Sequence, residues 1–288
     1  MRNNKAKDYI LTPILVRLVT GRSGSTLFMQ LLGTSDEIVF NREYPFESFF
    51  LNYLANSTLQ GQIPDVDETN FDTIIKMRFD GALPSISEQH RDTELTAKEM
   101  LLSSWQKFSH IAMKKNPDLN PKYYAEKNFT SRLSDFLRDV LPYRMVFLIR
   151  DPRDVFLSIA AFDKKRGYPG FSRREGEEDM AFAKRWIKPL RKRITKAREQ
   201  LYESAGMLIK YEDLANDLLG QAKKLNDWLD VNLDPQTVEN RAEEFTHHMT
   251  SETRSLSVER WKWEMSSNLR DFLTSELHDE LVSFGYEV

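Results

Sequence analysis

Residues 14–32, ILVRLVTGRSGSTLFMQLL, run from an apolar stretch through a glycine-containing turn into a second apolar stretch. Ile14–Val19 is a short apolar run that ends just before Gly21, which is typical of a buried β-strand. Ser25–Leu32 has the pattern of a helix, and Ser or Thr is available to cap its start. The order strand, turn, helix is the repeating unit of an α/β fold.

The turn between these elements, Thr20–Thr26, has the composition of a phosphate-binding loop. Its two glycines let the backbone turn tightly and let its amides approach an anion. The N-terminus of the following helix adds free N–H groups and its dipole. Arg22 adds a positive charge, Gly24 lies at the start of the helix, and three hydroxyls supply further donors: Ser23, Ser25 and Thr26.

This turn differs from the nucleotide-binding loop G-x-x-x-x-G-K-[ST], because no lysine follows Gly24. An anion other than a magnesium triphosphate is therefore favoured. A plain connection between a strand and a helix remains the alternative for this segment.

Short β-type runs alternate with helical stretches along the rest of the chain, which predicts an α/β fold with a central parallel sheet flanked by helices. The further predicted strands are Glu37–Phe40, Tyr123–Glu126, Arg144–Ile149 and Met207–Lys210. The further predicted helices are Thr96–Lys115, a segment through Leu133 and Val140, Asp151–Phe162 and Met180–Ser204.

The predicted organisation is one domain over residues 9–288 behind a flexible tail at 1–8. Residues 57–120 and 230–288 are expected to be mostly helical additions, and 57–95 contain many turn formers that predict an irregular excursion. The mixed-charge segment Lys164–Asp179 is interpreted as a solvated loop, with a mobile lid beside a site as the alternative.

Composition excludes several classes of protein. Lysine and arginine total 41 against 44 acidic residues, a net charge of −3, so the strongly basic surface of a nucleic-acid-binding domain is not expected. The chain has no cysteine, which excludes thiolate metal sites, cysteine nucleophiles and disulfides. No metal-ligand spacing and no apolar run of membrane-spanning length occurs, so we expect a cytoplasmic protein without a metal or a membrane span.

A second anion-binding motif is the stretch Leu148–Phe162, LIRDPRDVFLSIAAF. Arg150 falls at the end of a predicted strand, where open α/β sheets bind ligands, and Ser158 lies two turns into the next helix. A guanidinium and a hydroxyl from these two elements suit a second phosphate. The alternative is a surface ion-pair network of Arg150 with Asp151 or Asp154.

Together the two motifs resemble the sulfotransferases that use 3′-phosphoadenosine-5′-phosphosulfate (PAPS) and release adenosine 3′,5′-bisphosphate (PAP). The 5′-phosphosulfate loop of that family is similar to Arg22–Thr26, and its 3′-phosphate motif, an Arg followed by a Ser eight residues later, is similar to Arg150 and Ser158. The resemblance implies the family's P-loop NTPase-like fold and a donor-binding role for these residues.

The resemblance extends to the protein-tyrosine and bacterial branches of the family. It implies that Glu43, twenty-one residues beyond Arg22, is a partly buried catalytic base, while Glu47 remains open for that role. Lys127, in the string Glu126–Thr130, corresponds to a lysine that precedes the 3′-phosphate strand. Near the C-terminus, Arg260 before a tryptophan corresponds to a donor-binding residue, with Ser257 as its companion.

The implied reaction is an in-line transfer of the sulfuryl group to a hydroxyl or amine of a small-molecule acceptor: an alcohol, a carbohydrate, a lipid or another metabolite. Glu43 would accept the acceptor proton, and Lys127 and Arg22 would stabilise the leaving phosphate. Alternatively, Glu43 pairs with an arginine and Lys127 lies on the surface. A kinase-like enzyme and a non-catalytic nucleotide-binding module are the alternative functions, and neither the acceptor nor the oligomeric state has a signal in the sequence.

Overall fold

The computed structural model describes residues 10–59, 91–128, 132–241 and 249–288. It contains a five-stranded sheet in the order β2-β3-β1-β4-β5, in which β2 pairs with β3 and β4 with β5 in parallel. The strands are β1 (Thr12–Leu18), β2 (Ile38–Val39), β3 (Tyr123–Asn128), β4 (Arg144–Ile149) and β5 (Met207–Lys210). The predicted α/β class with a parallel sheet is confirmed, while the predicted tail at 1–8 lies outside the described residues.

Helices follow most of the strands, as expected for an α/β fold. Those before β4 are α1 (Ser25–Leu32), α2 (Phe50–Leu59), α3 (Arg91–Lys115) and α4 (Arg132–Leu137). Those after β4 are α5 (Pro152–Arg166), α6 (Asp179–Ser204), α7 (Tyr211–Asn216), α8 (Leu218–Leu229), α9 (Pro235–Asn240), α10 (Trp261–Glu264), α11 (Ser267–Glu276) and α12 (His278–Ser283). Within the described ranges, none of these helices combines the length and the apolar character needed to cross a bilayer.

Three predicted helix boundaries were wrong. α5 continues past Phe162 to Arg166, because its basic last turn is favourable at a helix C-terminus and Gly167 then ends it in a left-handed conformation. α4 ends at Leu137 rather than near Val140. α3 begins at Arg91, inside the segment expected to be irregular, and α2 was not predicted.

The chain divides into two compact units. The first contains the residues up to Leu15 together with Asp36–Arg144, and the second contains Val16–Ser35 together with Met145–Val288. β2 and β3 therefore belong to the first unit, and β4 and β5 to the second. The prediction of one domain over 9–288 stays a prediction.

Trp105 of α3 is at the centre of the first unit's core and is fully buried. Its indole N–H donates to the Leu11 carbonyl at 2.8 Å, while the Leu11 amide donates to the Ser109 hydroxyl at 3.1 Å. The ring of Tyr124 meets Trp105 edge-on at 5.3 Å. These contacts fix α3 against the residues that lead into β1 and against β3.

In the second unit, the start of α5 is joined to the C-terminal segment by one buried arginine. Asp151 caps α5 by accepting from the Arg153 amide at 2.9 Å, and its carboxylate pairs with the Arg153 guanidinium at 2.7 Å. That guanidinium lies 3.5 Å from the centre of the Trp261 ring and donates to the Glu287 carbonyl at 2.6 Å. A fully buried charge is tolerated here because it is paired and hydrogen bonded.

The Glu212 carboxylate is a second contact to the C-terminal segment. It accepts from the Asp151 amide at 2.8 Å and from the Tyr286 hydroxyl at 3.1 Å. Burial raises the pKa of Glu212 from 4.5 to about 7, although the Asp151 amide favours the ionised form. Since the folded-state pKa is raised, the stability that Glu212 contributes is present below pH 4.5 and lost as the pH rises through about 7.

We expect Glu212→Gln to flatten the pH dependence of stability. Between pH 5 and pH 8 the wild-type free energy of unfolding should fall by about 2 kcal/mol through this group. The variant should lose that part of the slope and keep the part due to Asp154, whose pKa is also raised. Urea unfolding followed by tryptophan fluorescence at both pH values measures this, with Glu199→Gln on the outside of α6 as the matched control. An unchanged slope in Glu212→Gln would contradict the assignment.

Candidate functional site

Two loops of the second unit begin at the same edge of the sheet. β1 and β4 are neighbours in the strand order, and the Val19 amide donates to the Leu148 carbonyl at 3.3 Å. In open α/β sheets, ligands bind at the carboxyl ends of the strands. The loop carrying Arg22 follows β1, and Arg150 follows β4.

The loop after β1 has the backbone shape of an anion cradle. Arg22 and Gly24 have φ angles of +63° and +84°, which turn their amides inward, and the Ser23 hydroxyl donates to the Thr20 carbonyl at 2.9 Å. Gly24 itself is the N-cap of α1, so the expected Ser or Thr cap was wrong and no side chain accepts from the first amides. A Cβ at Gly24 would overlap the Tyr211 ring. Ser25 and Thr26 form the first turn of the helix.

A chain of polar side chains connects this loop with three distant segments. The Arg22 Nε donates to the Ser158 hydroxyl at 3.1 Å, and that hydroxyl lies 3.4 Å from the Thr250 hydroxyl. The Arg260 Nη1 donates to the Thr250 hydroxyl at 3.2 Å. The structure thus brings together Arg22, Ser158 and Arg260, and it adds Thr250, which the sequence analysis missed.

Arg150 completes this cluster and is only 4 % exposed, so the surface ion-pair alternative for it is wrong. Its Nη1 donates to the Arg22 carbonyl at 3.3 Å, and its Nη2 donates to the Ser257 carbonyl at 2.5 Å. Within the described part of the chain its buried Nε has no hydrogen-bond partner. A buried guanidinium with a free N–H is costly unless an anion accepts from it, so this residue fits a phosphate ligand.

Ser257 and Arg260 are held by contacts from α5 and α7. The Ser257 hydroxyl is 2.5 Å from the Tyr211 hydroxyl, and Arg260 pairs with Glu264 at 2.6 Å. The Asp154 carboxylate accepts from the backbone amides of Glu259 at 2.7 Å and Trp261 at 3.0 Å. Glu259 has a φ of +58°, which is unfavourable for a side chain of its kind, and the bond to Asp154 holds it there.

Burial raises the pKa of Asp154 to about 6, against the lowering effect of the nearby Arg150 charge. The carboxylate and the guanidinium therefore lie close in a region that excludes water. The pair fixes the segment 257–261 relative to the end of β4.

Within the second unit, the segment Lys164–Asp179 contacts the loop after β1. After α5 ends it forms turns, and a Cβ at Gly21 would lie 2.7 Å from the ring of Phe171. The Arg22 guanidinium lies 4.3 Å from the centre of the Phe162 ring. The turns fit the interpretation as a loop, and the lid interpretation stays a prediction.

The remaining predicted site residues lie in the first unit, where Lys127 is 2 % exposed, so the surface alternative for it is wrong. Its ammonium donates to the Pro45 carbonyl at 2.6 Å and to the Glu47 carboxylate at 3.1 Å. Burial lowers the pKa of Lys127, and the charge of Glu47 opposes that change. The structure therefore joins Lys127 with Glu47.

Glu43 lies at a turn in the same segment, and its carbonyl accepts from the Phe46 amide at 2.8 Å. Its side chain is exposed, whereas the sequence argument expected it to be partly buried. The backbone of this turn contacts β3 through the Pro45 carbonyl, while the Glu43 side chain stays exposed. An exposed carboxylate at this position is open to solvent and to solutes.

In the portion of the chain that the structure describes, no three His, Asp or Glu side chains are grouped so that they could hold a metal ion.

Several residues of the two clusters had no usable signal in the sequence. Thr250 contacts Ser158 across ninety-two residues, in a segment without apolar periodicity. Asp154 was expected only as an ion-pair partner of Arg150, and nothing indicated its bond to the Glu259 amide. Tyr211 follows the predicted strand Met207–Lys210, and no pattern indicated its contact with Ser257. The close approach of the Tyr211 ring to Gly24 is visible only once the fold is known.

Comparisons with known proteins agree with this geometry. The sequence profile described as "Sulfotransferase family" matches residues 15–235. Among solved structures, the sulfotransferase domain from the Synechococcus PCC 7002 olefin synthase has a TM-score of 0.56 at 13 % identity, with 100 % of both chains covered. A retinol dehydratase in complex with retinol and PAP has a TM-score of 0.50 at 16 % identity, covering 98 % of this chain and 84 % of that one. No curated protein matches the chain.

The profile match covers well over half of the chain and includes both the loop after β1 and the end of β4 with α5. Those segments contain Arg22, Arg150 and Ser158, whereas Thr250, Ser257 and Arg260 follow the matched residues. The chain belongs to the sulfotransferase family of enzymes.

Proposed function

We propose that this enzyme transfers the sulfuryl group of PAPS to a hydroxyl, or an amine, of a small-molecule acceptor and releases PAP. The observation that carries the proposal is the polar cluster of the second unit, in which Arg22, Ser158, Thr250 and Arg260 are linked. In the same cluster, Arg150 keeps a buried N–H that has no partner among the residues described by the structure. A nucleotide donor with a 5′-phosphosulfate and a separate 3′-phosphate matches two cationic loops that follow neighbouring strands. The absence of cysteine supports a cytoplasmic location.

In this proposal the loop after β1 binds the 5′-phosphosulfate. The donors are the amides at the start of α1, the Arg22 guanidinium and the hydroxyls of Ser25 and Thr26, while the Ser23 hydroxyl, which donates to the Thr20 carbonyl, holds the loop in shape. The 3′-phosphate is bound by Arg150 and Ser158, with Arg260 and Ser257 beside them. Because the donors are fixed before the reactant binds, they need no reorganisation in the transition state.

The bound donor supplies an activated sulfuryl group, and the residues of this chain supply a base and positive charge. Glu43, by its spacing from Arg22, accepts the proton of the acceptor hydroxyl as its oxygen bonds to sulfur. Lys127 and Arg22 stabilise the negative charge that develops on the departing phosphate oxygen. Glu47, which pairs with Lys127, is the second candidate for the base.

A small-molecule acceptor is proposed rather than a nucleic acid. The net charge of −3 gives no general attraction for a polyanion. The structurally similar retinol dehydratase was solved with retinol and PAP, which supports an acceptor of that size range. An alcohol, a carbohydrate, a lipid and other hydroxylated metabolites all meet this description.

A thermal-shift comparison of PAP with ATP–Mg and AMP tests the proposal. A ligand at 100 times its dissociation constant adds about 2.7 kcal/mol, which corresponds to a rise of several degrees in Tm for a chain of this size. We expect the rise with PAP alone. A rise with ATP–Mg alone would favour the kinase-like function, and no rise with any of the three would favour a non-catalytic module.

A further inference from the structure

Glu126, the residue before Lys127 on β3, is a buried carboxylate to which the reaction assigns no role. It is 2 % exposed and accepts from the amides of Leu51 at 2.7 Å and Asn52 at 3.0 Å. The side-chain amide of Asn52 donates to it at 2.7 Å, and the Tyr124 hydroxyl at 3.0 Å. In all four hydrogen bonds the Glu126 carboxylate is the acceptor, which is the environment of an ionised carboxylate rather than of a neutral acid.

The two backbone amides belong to the first turn of α2, which begins at Phe50. The first amides of a helix have no partner within the helix, and a negative charge is stabilised there by the helix dipole. Glu126 therefore caps α2 from a different strand, seventy-four residues or more away along the chain. The Tyr124 hydroxyl, 3.0 Å from the Ser48 hydroxyl, extends this contact to the residues just before the helix.

The segment fixed in this way contains Glu47, one of the two candidate bases, and begins two residues after the other, Glu43. Lys127 holds its first part, at Pro45 and Glu47, and Glu126 holds its end, at Leu51 and Asn52. Two consecutive residues of β3 thus fix both ends of a segment of eight residues. Between those ends the backbone has unfavourable positive φ angles at Phe46 and Phe49, a conformation that only surrounding contacts maintain.

We propose that Glu126 is a positioning residue for sulfuryl transfer: by capping α2 it sets the place of the segment 43–49 and of the base within it. This rests on the proposed function. Burial raises the pKa of Glu126, while its four hydrogen bonds lower that pKa. Burying a carboxylate here costs desolvation energy, which the hydrogen bonds offset. An apolar residue at this position would avoid the desolvation cost but would leave the two α2 amides without an acceptor.

The test compares Glu126→Gln with the wild type in three measurements. Hydrogen exchange in peptides covering residues 48–54 should become about ten times faster or more, because a carboxamide accepts less strongly and presents an N–H to an amide. Exchange in α1 of the second unit should not change. PAP affinity should stay within twofold, while turnover falls about 10- to 100-fold at saturating PAPS.

Turnover is measured first as release of labelled sulfate from PAPS with water as the acceptor, then with a panel of phenols, long-chain alcohols and sugars. In each case the sulfur–oxygen bond to the 5′-phosphate breaks, the acceptor oxygen bonds to sulfur, and the acceptor proton goes to the base. Asp135→Asn, an exposed carboxylate on α4, is the matched control and should behave as wild type. Tyr124→Phe, which keeps the ring against Trp105 and removes one donor, should shift exchange and turnover in the same direction by about threefold; it also serves if Glu126→Gln does not fold.

Unchanged exchange at 48–54 in a folded Glu126→Gln would overturn the capping contact. Faster exchange with wild-type turnover would overturn the positioning role, and a parallel loss of PAP affinity would reassign Glu126 to general stability. If the wild type neither binds PAP nor consumes PAPS, the proposed function is wrong, and so is the positioning role. The exchange experiment still tests whether Glu126 caps α2, because it does not depend on activity.

Discussion

Arg150→Ala is expected to weaken PAP binding by at least about 30-fold, since a buried charge-assisted contact to a phosphate contributes about 2–3 kcal/mol. The Arg150 side chain is almost fully buried, and its Nε has no acceptor within the ranges that the structure describes. A bound 3′-phosphate would supply that acceptor. Isothermal titration of PAP and AMP measures the effect, and the preference for PAP over AMP should largely disappear in the variant.

Two controls separate phosphate binding from loss of structure. Arg191→Ala removes a guanidinium of the same unit that pairs with Glu280 on the outside of the helices, and PAP affinity should remain as in the wild type. Arg150→Lys keeps the charge without the planar group that reaches Arg22 and Ser257, so an intermediate loss is expected. Undiminished PAP affinity in a folded Arg150→Ala would refute the assignment of the 3′-phosphate to this arginine.

The parts of the fold that could be predicted from the sequence are those whose signals are local. The helix Ser25–Leu32 and the strands Arg144–Ile149 and Met207–Lys210 have the predicted bounds. The helix is followed by Gly33, and each strand is a short apolar run bounded by polar residues or glycine. Pro152 after Asp151 likewise marks the start of α5, with the aspartate as its side-chain cap.

The cap of α2 shows why other elements could not be predicted. No Ser, Thr, Asp or Asn side chain of its own first turn is needed, since Glu126 from β3 accepts from its amides. A signal of this kind exists only after the sheet has formed. The same is true of Thr250, which meets Arg260 and Ser158 only because the segment before α10 returns to α5.

For the candidate site, the sequence predicted which residue types would converge but not which partners would hold them. Arg22, Arg150, Ser158, Ser257 and Arg260 lie in one connected cluster, as two motifs of known spacing suggested. The contacts that hold these residues in place could not be predicted. Asp154 accepts from the backbone amide of Glu259, and every residue type except proline has such an amide, so the residue type does not indicate the contact. Lys127 and Glu47 are similarly joined by a turn that no apolar pattern indicates.

Glu43→Gln is expected to reduce turnover about 10²- to 10⁴-fold and to leave PAP affinity unchanged, because general-base catalysis contributes in that range. The amide has nearly the same shape and cannot accept the acceptor proton. Turnover of PAPS with water and with the acceptor panel measures the loss, and titration of PAP measures binding. Glu47→Gln is the direct comparison, since its carboxylate lies 3.1 Å from the Lys127 ammonium and its loss should be smaller.

The exposure of Glu43 permits a further discrimination between a base and a structural residue. Because solutes can reach this position, formate added to Glu43→Ala should restore part of the lost turnover by accepting the proton in place of the missing carboxylate. Formate should not restore Glu47→Ala if Glu47 only orients Lys127, because a diffusing formate does not hold the Lys127 ammonium in place as the tethered carboxylate does. If Glu47→Gln loses more turnover than Glu43→Gln, and formate rescues only Glu47→Ala, the base is Glu47. The spacing of twenty-one residues from Arg22 then does not identify the base in this chain.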